Sequence, residues 1–262
     1  MTRVEEPSTE DQHEDADAAE RLAHATGPPV PEEREAPFFI HFYRSAVVKK
    51  WLMALSGIVL LGYVLAHMVG NLKVFLGKGE INTYAEWLRT IGEPAVPREV
   101  VLWILRVGLI AAFVIHIVAA YQLTRMNRKA RPVHYKSRRD YAAANFASRT
   151  MRWTGIIVLF FVIFHLLDLT WGTANPHFVH GDPYDNLFAT FDRVPVAIAY
   201  IVAMLALGIH IFHGAWSMFQ SLGLNNPRFN IWRRYFAIAF AAVITVGNIS
   251  IPLLITTAAV SK

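Results

Sequence analysis

Leu207-Gly-Ile-His210-Ile-Phe-His213-Gly214-Ala-Trp216-Ser-Met-Phe-Gln220-Ser-Leu-Gly223-Leu224 is the stretch on which the reading of this chain turns. It places two histidines and a tryptophan near one end of an apolar run of bilayer length. Three other apolar runs carry a histidine each: His67, His116 and His165. An ionisable side chain in hydrocarbon is costly, so each of these positions is a functional-site candidate by default.

Composition sets the same frame. Of 262 residues, 54% are hydrophobic and 17% charged, the balance of a membrane protein. The charge is segregated. Residues 1–36 hold 11 of the 20 acidic residues and three of the 25 basic ones, leaving 22 basic against 9 acidic in residues 37–262. The acidic segment has no apolar period and is expected to be a disordered tail. It also lacks the apolar core of a signal peptide, so the first membrane segment is expected to insert uncleaved. With no cysteine, the chain can build neither a disulfide nor an iron–sulfur or thiolate site by itself.

Five runs reach the roughly 20 residues a helix needs to cross a bilayer: about 51–76, 100–124, 151–172, 195–220 and 235–258. They read as helices because lipid tolerates no unpaired backbone. The expected architecture is an all-α integral membrane bundle of five transmembrane helices over residues 37–262. From Arg125 to Arg152 the chain has nine Lys or Arg and one Asp, whereas the 173–194 connection holds Asp182, Asp185 and Asp192. Arg228, Arg233 and Arg234 are read as part of the connection between the fourth and fifth segments. The positive-inside bias therefore predicts a cytoplasmic N-terminus and an outer C-terminus. The basic 125–139 connection reads as a lipid and partner surface, with no nucleic acid expected.

Depth then sorts the histidines. A rise of 1.5 Å per residue puts His67 and His165 roughly 24 and 21 Å from the cytoplasmic ends of their segments, in the outer half. His116 and His210 fall roughly 22 to 24 Å from the outer ends of theirs, in the inner half. A lone intramembrane histidine is more often a helix-to-helix hydrogen bond. Four in two level-matched pairs, His67 with His165 and His116 with His210, match two bis-histidine haems stacked across the bilayer. Spacing alone does not separate haem from another metal held by histidine.

Together these motifs resemble the cytochrome b membrane anchor of succinate dehydrogenase and fumarate reductase, in its single-subunit, five-helix, di-haem form. The likeness covers about residues 40–258 and is carried by Ala66-His67-Met-Val-Gly-Asn71, Ile115-His116-Ile-Val-Ala-Ala-Tyr121, Phe164-His165-Leu-Leu-Asp168 and His210-Ile-Phe-His213-Gly214-Ala-Trp216-Ser217. The last is the most specific. The resemblance implies four haem ligands, with His67 and His165 on the distal haem b and His116 and His210 on the proximal one. It implies a flavoprotein and an iron–sulfur protein docked on the cytoplasmic face, electron flow between succinate and a quinone, expected as menaquinone, and a multi-pass place in the cell inner membrane of a respiratory chain. It leaves a higher oligomer of the complex open. In place of the Glu that some two-haem members carry two residues before the fourth-segment ligand, this chain has Gly208.

Other residues acquire candidate roles. Arg106 is a candidate partner for a haem propionate, and Lys49, Lys50 and Arg152 lie where inner propionates could reach. Two quinone sites are in view: an inner group of Ser56, Arg152, His213 and Trp216, slightly favoured, and an outer group of Asp168, Arg106 and Trp171. Asp168 is read as pairing with Arg106, meeting a quinone, relaying a proton or facing interfacial water. The competing functions are an anchor with fewer haems, an anchor whose metal centre is completed by a partner chain, and a proton-coupled transporter. The transporter would need discontinuous helices, and only Pro252 interrupts a segment.

Overall fold

A computed structural model describes residues 37–130 and 146–257. The acidic tail, the middle of the basic connection and the last five residues lie outside the described residues. All regular structure among the described residues is helical. The helices are α1 (Phe38–Arg44), α2 (Ala46–Asn71), α3 (Lys78–Thr90), α4 (Val100–Lys129), α5 (Phe146–His165), α6 (Pro183–Phe191), α7 (Val194–Ser221) and α8 (Pro227–Thr256). One compact unit ends at Phe42 and a second begins at Tyr43; the second holds every long helix.

Among the described residues, five segments are long and apolar enough to cross a membrane: Ala46–Leu76, Val100–Lys129, Thr150–Thr170, Val194–Ser221 and Pro227–Thr256. Their number and placement agree with the hydropathy reading, but several helices outlast the lipid-facing run. Ser45 starts α2 early by accepting a hydrogen bond from the Val48 N–H at 3.2 Å. Asn226 does the same for α8, accepting from Arg228 and Phe229, with Pro227 in the first turn where its missing N–H costs nothing. Arg228, Arg233 and Arg234 are therefore helical, not part of a connection as the sequence suggested. The third span changes register at its end. Its α-helix stops at His165, and Leu166–Thr170 is a π turn whose closing bond runs from the Trp171 N–H to the Leu166 carbonyl at 2.9 Å.

Within the second unit, α2 packs against α4, α7 and α8, α5 packs against α7, and α7 packs against α8. Helices α2 and α5, like α4 and α7, are diagonal to each other rather than packed. Met68, Ile211, Ala241 and Ile244 form a core between α2, α7 and α8. Gly208 allows the α7 to α8 approach, because a Cβ there would run into Thr245 Oγ1. A glutamate at Gly208 would force these helices apart, which accounts physically for the small residue. Val74, Ile81, Tyr184, Leu187, Phe188 and Phe191 pack with Tyr200, Ile251 and Ile255 to close the bundle at the α2 C-terminal end. Large apolar side chains such as Trp103, Trp153, Phe160 and Val246 are exposed around the perimeter, as a lipid-facing surface requires.

An ionic tie holds α3 to α6. Lys78 Nζ lies 2.6 Å from Asp182 and 2.8 Å from Asp185, and Asn82 donates to Asp182 at 2.9 Å. Burial pushes the Asp182 carboxyl up, but hydrogen bonds from Lys78, Asn82 and the Asp185 backbone outweigh it and hold the group at about 2. Hydrogen bonds to both carboxylates push Lys78 up to about 12. The Asp182 contribution is complete above its ordinary value of 3.8 and is lost as pH falls to about 2. The Lys78 contribution is complete below 10.5 and is lost as pH rises through about 12. Hydrogen exchange in α3 should therefore be level with pH between these limits, after correction for the intrinsic rate, and accelerate beyond either. Acceleration near neutral pH would show that this tie does not hold α3.

Candidate functional site

The diagonals of the bundle are bridged by imidazoles. His67 of α2 and His165 of α5 have ring centres 5.7 Å apart, and His116 of α4 and His210 of α7 have ring centres 6.3 Å apart. His116 lies beside Ser56 and Gly57 of α2, ten to eleven residues before His67. The two pairs are thus separated by about 15 Å along the bundle axis.

Local chemistry fixes three of the four rings. The Ser56 hydroxyl donates to the Leu52 carbonyl at 2.6 Å, so its oxygen is left to accept from Nδ1–H of His116 at 3.3 Å. Thr154 donates to the Met151 carbonyl at 3.0 Å and faces Nδ1 of His210 at 3.4 Å. The Tyr200 hydroxyl donates to Asp168 at 3.2 Å and stands 3.5 Å from Nδ1 of His165. In each case the proton resides on Nδ1, which frees the Nε2 lone pair to bind a metal. His67 differs. Its Nε2 contacts the Asn71 amide at 3.1 Å, so ligation through that atom requires the amide to turn away.

An internal repeat underlies this arrangement. Met53, Ser56, Gly57 and His67 recur 98 residues later as Met151, Thr154, Gly155 and His165. In both copies the hydroxyl residue orients an imidazole of the following span, and the glycine lies against that ring. A Cβ would stand 3.7 Å from His116 Cε1 at Gly57 and 3.3 Å from His210 Cε1 at Gly155.

The residues present suit a haem. Among the described residues no group of three or more His, Asp or Glu side chains is placed to hold a metal ion. A two-imidazole site therefore suits a metal that brings its own equatorial ligands, or one completed by another chain. An ion bound at about 2 Å from each nitrogen puts the two ring centres roughly 6 Å apart, close to both observed spacings.

The remaining candidates disperse. Asp168 is fully buried in the π turn, where it accepts from Thr190 at 2.9 Å and Tyr200 at 3.2 Å and forms an ion pair with Arg193. Arg193 also donates to the carbonyls of Ala189 at 3.1 Å and Ala174 at 2.9 Å. Asp168 neither pairs with Arg106 nor faces interfacial water, because the π turn and α6 carry it inward. Arg106 is exposed, its guanidinium 5.0 Å from the Trp103 ring, and Trp171 is exposed as well. Lys49 is buried, with its ammonium 2.7 Å from the Tyr43 carbonyl and 4.8 Å from the Tyr43 ring, whereas Lys50 and Arg152 are exposed. His213 and Trp216 are half-buried on α7, with Trp216 against Phe212 and Arg233. Arg193 and Arg233 were not singled out in the sequence as site residues. Only their nearness to the ends of apolar runs could have signalled them.

The family model of the succinate dehydrogenase/fumarate reductase transmembrane subunit matches residues 124–249, from the last turns of α4 into α8. That part of the chain is similar to the membrane-anchor family. The matched part of the chain contains His165 and His210, while His67 and His116 lie before it. No curated protein and no solved structure matches the chain.

Proposed function

We propose that this anchor carries electrons between an iron–sulfur partner and a membrane quinone through two b-type haems. One is held by His116 and His210, the other by His67 and His165. The observation that supports the reading is the pair of imidazole bridges across diagonals that do not otherwise pack. A haem ligated by two imidazoles supplies a one-electron centre with its iron closed to further ligands. Ser56, Thr154 and Tyr200 keep the protons on Nδ1, and Gly155 leaves room for the His210 imidazole.

Orientation follows the charge. Lys50, Arg128 and Arg152 share the end nearer His116 and His210, so the catalytic partners dock there, on the cytoplasmic side of the cell membrane. The quinone is assigned to the same end, beside His213 and Trp216, because Asp168 at the other end already has Arg193, Thr190 and Tyr200 as partners. A quinone reduced there takes two electrons and two protons, and His213 is the nearest titratable side chain able to pass one of them.

The test is a reduced-minus-oxidised spectrum of the purified complex, quantified as haem per anchor chain. Two b-type haems are expected. One haem or none in intact complex would overturn the two-haem assignment.

A further inference from the structure

Among the described residues, the buried side-chain polar atoms left without a hydrogen-bond partner are Nε and Nη1 of Arg233 and Oδ1 of Asn230. The two residues are three apart on α8 and share a face. Arg233 is 6% exposed and heads the stripe that continues through buried Ala237, Ala241 and Ile244, so its side chain points into the bundle rather than into lipid. Its guanidinium lies 5.7 Å from the ring centre of Trp216. A ring face attracts a cation but offers no lone pairs to N–H donors, so stacking leaves those donors unspent. Guanidinium stays charged at any physiological pH, and a buried charge without an acceptor is not a resting arrangement.

We propose that Arg233 receives an oxyanion from a lipid or a cofactor, not from a protein side chain, as a phosphate or a carboxylate at a site walled by Trp216 and Asn230. Turning the Asn230 amide about its last bond presents its NH₂ to the same anion. The site lies at the bilayer edge. Arg233 stands two residues before Tyr235, where the uncharged part of α8 begins, and Trp216 is about 9 Å along α7 from His210. Two sources carry such a group to that level: the headgroup of an anionic phospholipid, and the propionate of a haem held at His210, the latter resting on the proposed function above.

The test uses the whole complex in nanodiscs of phosphatidylcholine with a minority of phosphatidylglycerol, comparing wild type with Arg233→Gln and Arg233→Lys. Native mass spectrometry counts retained phosphatidylglycerol, and redox titration gives the potential of the inner haem. For a lipid phosphate, R233Q retains about tenfold less phosphatidylglycerol, the scale of one charged hydrogen bond, and the haem potential is unchanged. For a propionate, lipid retention is unchanged and the inner haem's potential falls, because a cation that favoured the reduced form has gone. R233K keeps the charge without the Nε donor and gives an intermediate value of whichever quantity moves; it carries the test if R233Q does not assemble. An R233Q complex unchanged in both quantities overturns the proposal, as does one that sheds its iron–sulfur partner with both unchanged, which would assign Arg233 to a protein carboxylate. A wild-type complex without haem would refute the proposed function and leave the lipid arm standing.

Discussion

Alanine at His67 or at His165 is expected to remove the same haem, and alanine at His116 or at His210 the other. Haem per chain should fall from two to one in each variant, because a low-spin centre held between two imidazoles is lost when either is withdrawn. The partners of a pair act as a unit, so H67A/H165A should lose no more haem than either single variant. H67A/H116A should lose both. Difference spectra at staged potentials would resolve which centre remains. The pairing fails if H67A and H116A remove the same species, or if H165A leaves both in place. The diagonal geometry underlies this expectation: the rings stand 5.7 and 6.3 Å apart while the helices that carry them are not packed together.

The histidine pairing was legible in the sequence because depth along a helix is arithmetic. A rise of 1.5 Å per residue and alternating helix direction suffice to level His67 with His165 and His116 with His210. Hydropathy counted the spans for a similar reason, since lipid imposes one length on all of them. It missed the helix ends, because Ser45 and Asn226 cap helices in water where apolar content carries no signal. The surroundings of the pairs were harder to read. Ser56 was assigned to quinone, yet its hydroxyl faces His116, a contact fixed by the rotation of α2 against α4. Asp168 was left open between pairing with Arg106, meeting a quinone, relaying a proton and facing interfacial water. Its ion-pair partner, Arg193, stands at the start of α7 and is brought in by α6 and the π turn. No period in the sequence announces a change from α to π register, so the direction of Asp168 was beyond reach.

Replacing Asp168 should therefore be felt first as lost stability and only then as altered redox chemistry. Its carboxylate is fully buried and accepts from Arg193, Thr190 and Tyr200 together. Removing one member of a buried ion pair costs about 3–5 kcal/mol because the other charge is left without its counter-charge. The Arg193 side chain is 26% exposed and keeps two carbonyl acceptors, so D168N should fall toward the lower end, about 3 kcal/mol. D168N/R193Q, with no stranded charge, should cost less than D168N alone, a sign that a simple sum of single effects would not give. Thermal unfolding of the purified complex in detergent measures both. A second effect travels through Tyr200, whose hydroxyl links Asp168 to Nδ1 of His165. With the carboxylate made neutral, the imidazole becomes a weaker donor to iron, and the potential of the haem at His67 and His165 should rise while the other stays fixed. Tyr200→Phe separates the two effects, since it cuts the link to His165 and leaves the Arg193 pair intact. It should reproduce most of the potential shift with little of the destabilisation. If D168N unfolds at the wild-type temperature, the pair with Arg193 does not hold the π turn; if Y200F leaves the potential unmoved, the hydroxyl does not tune His165.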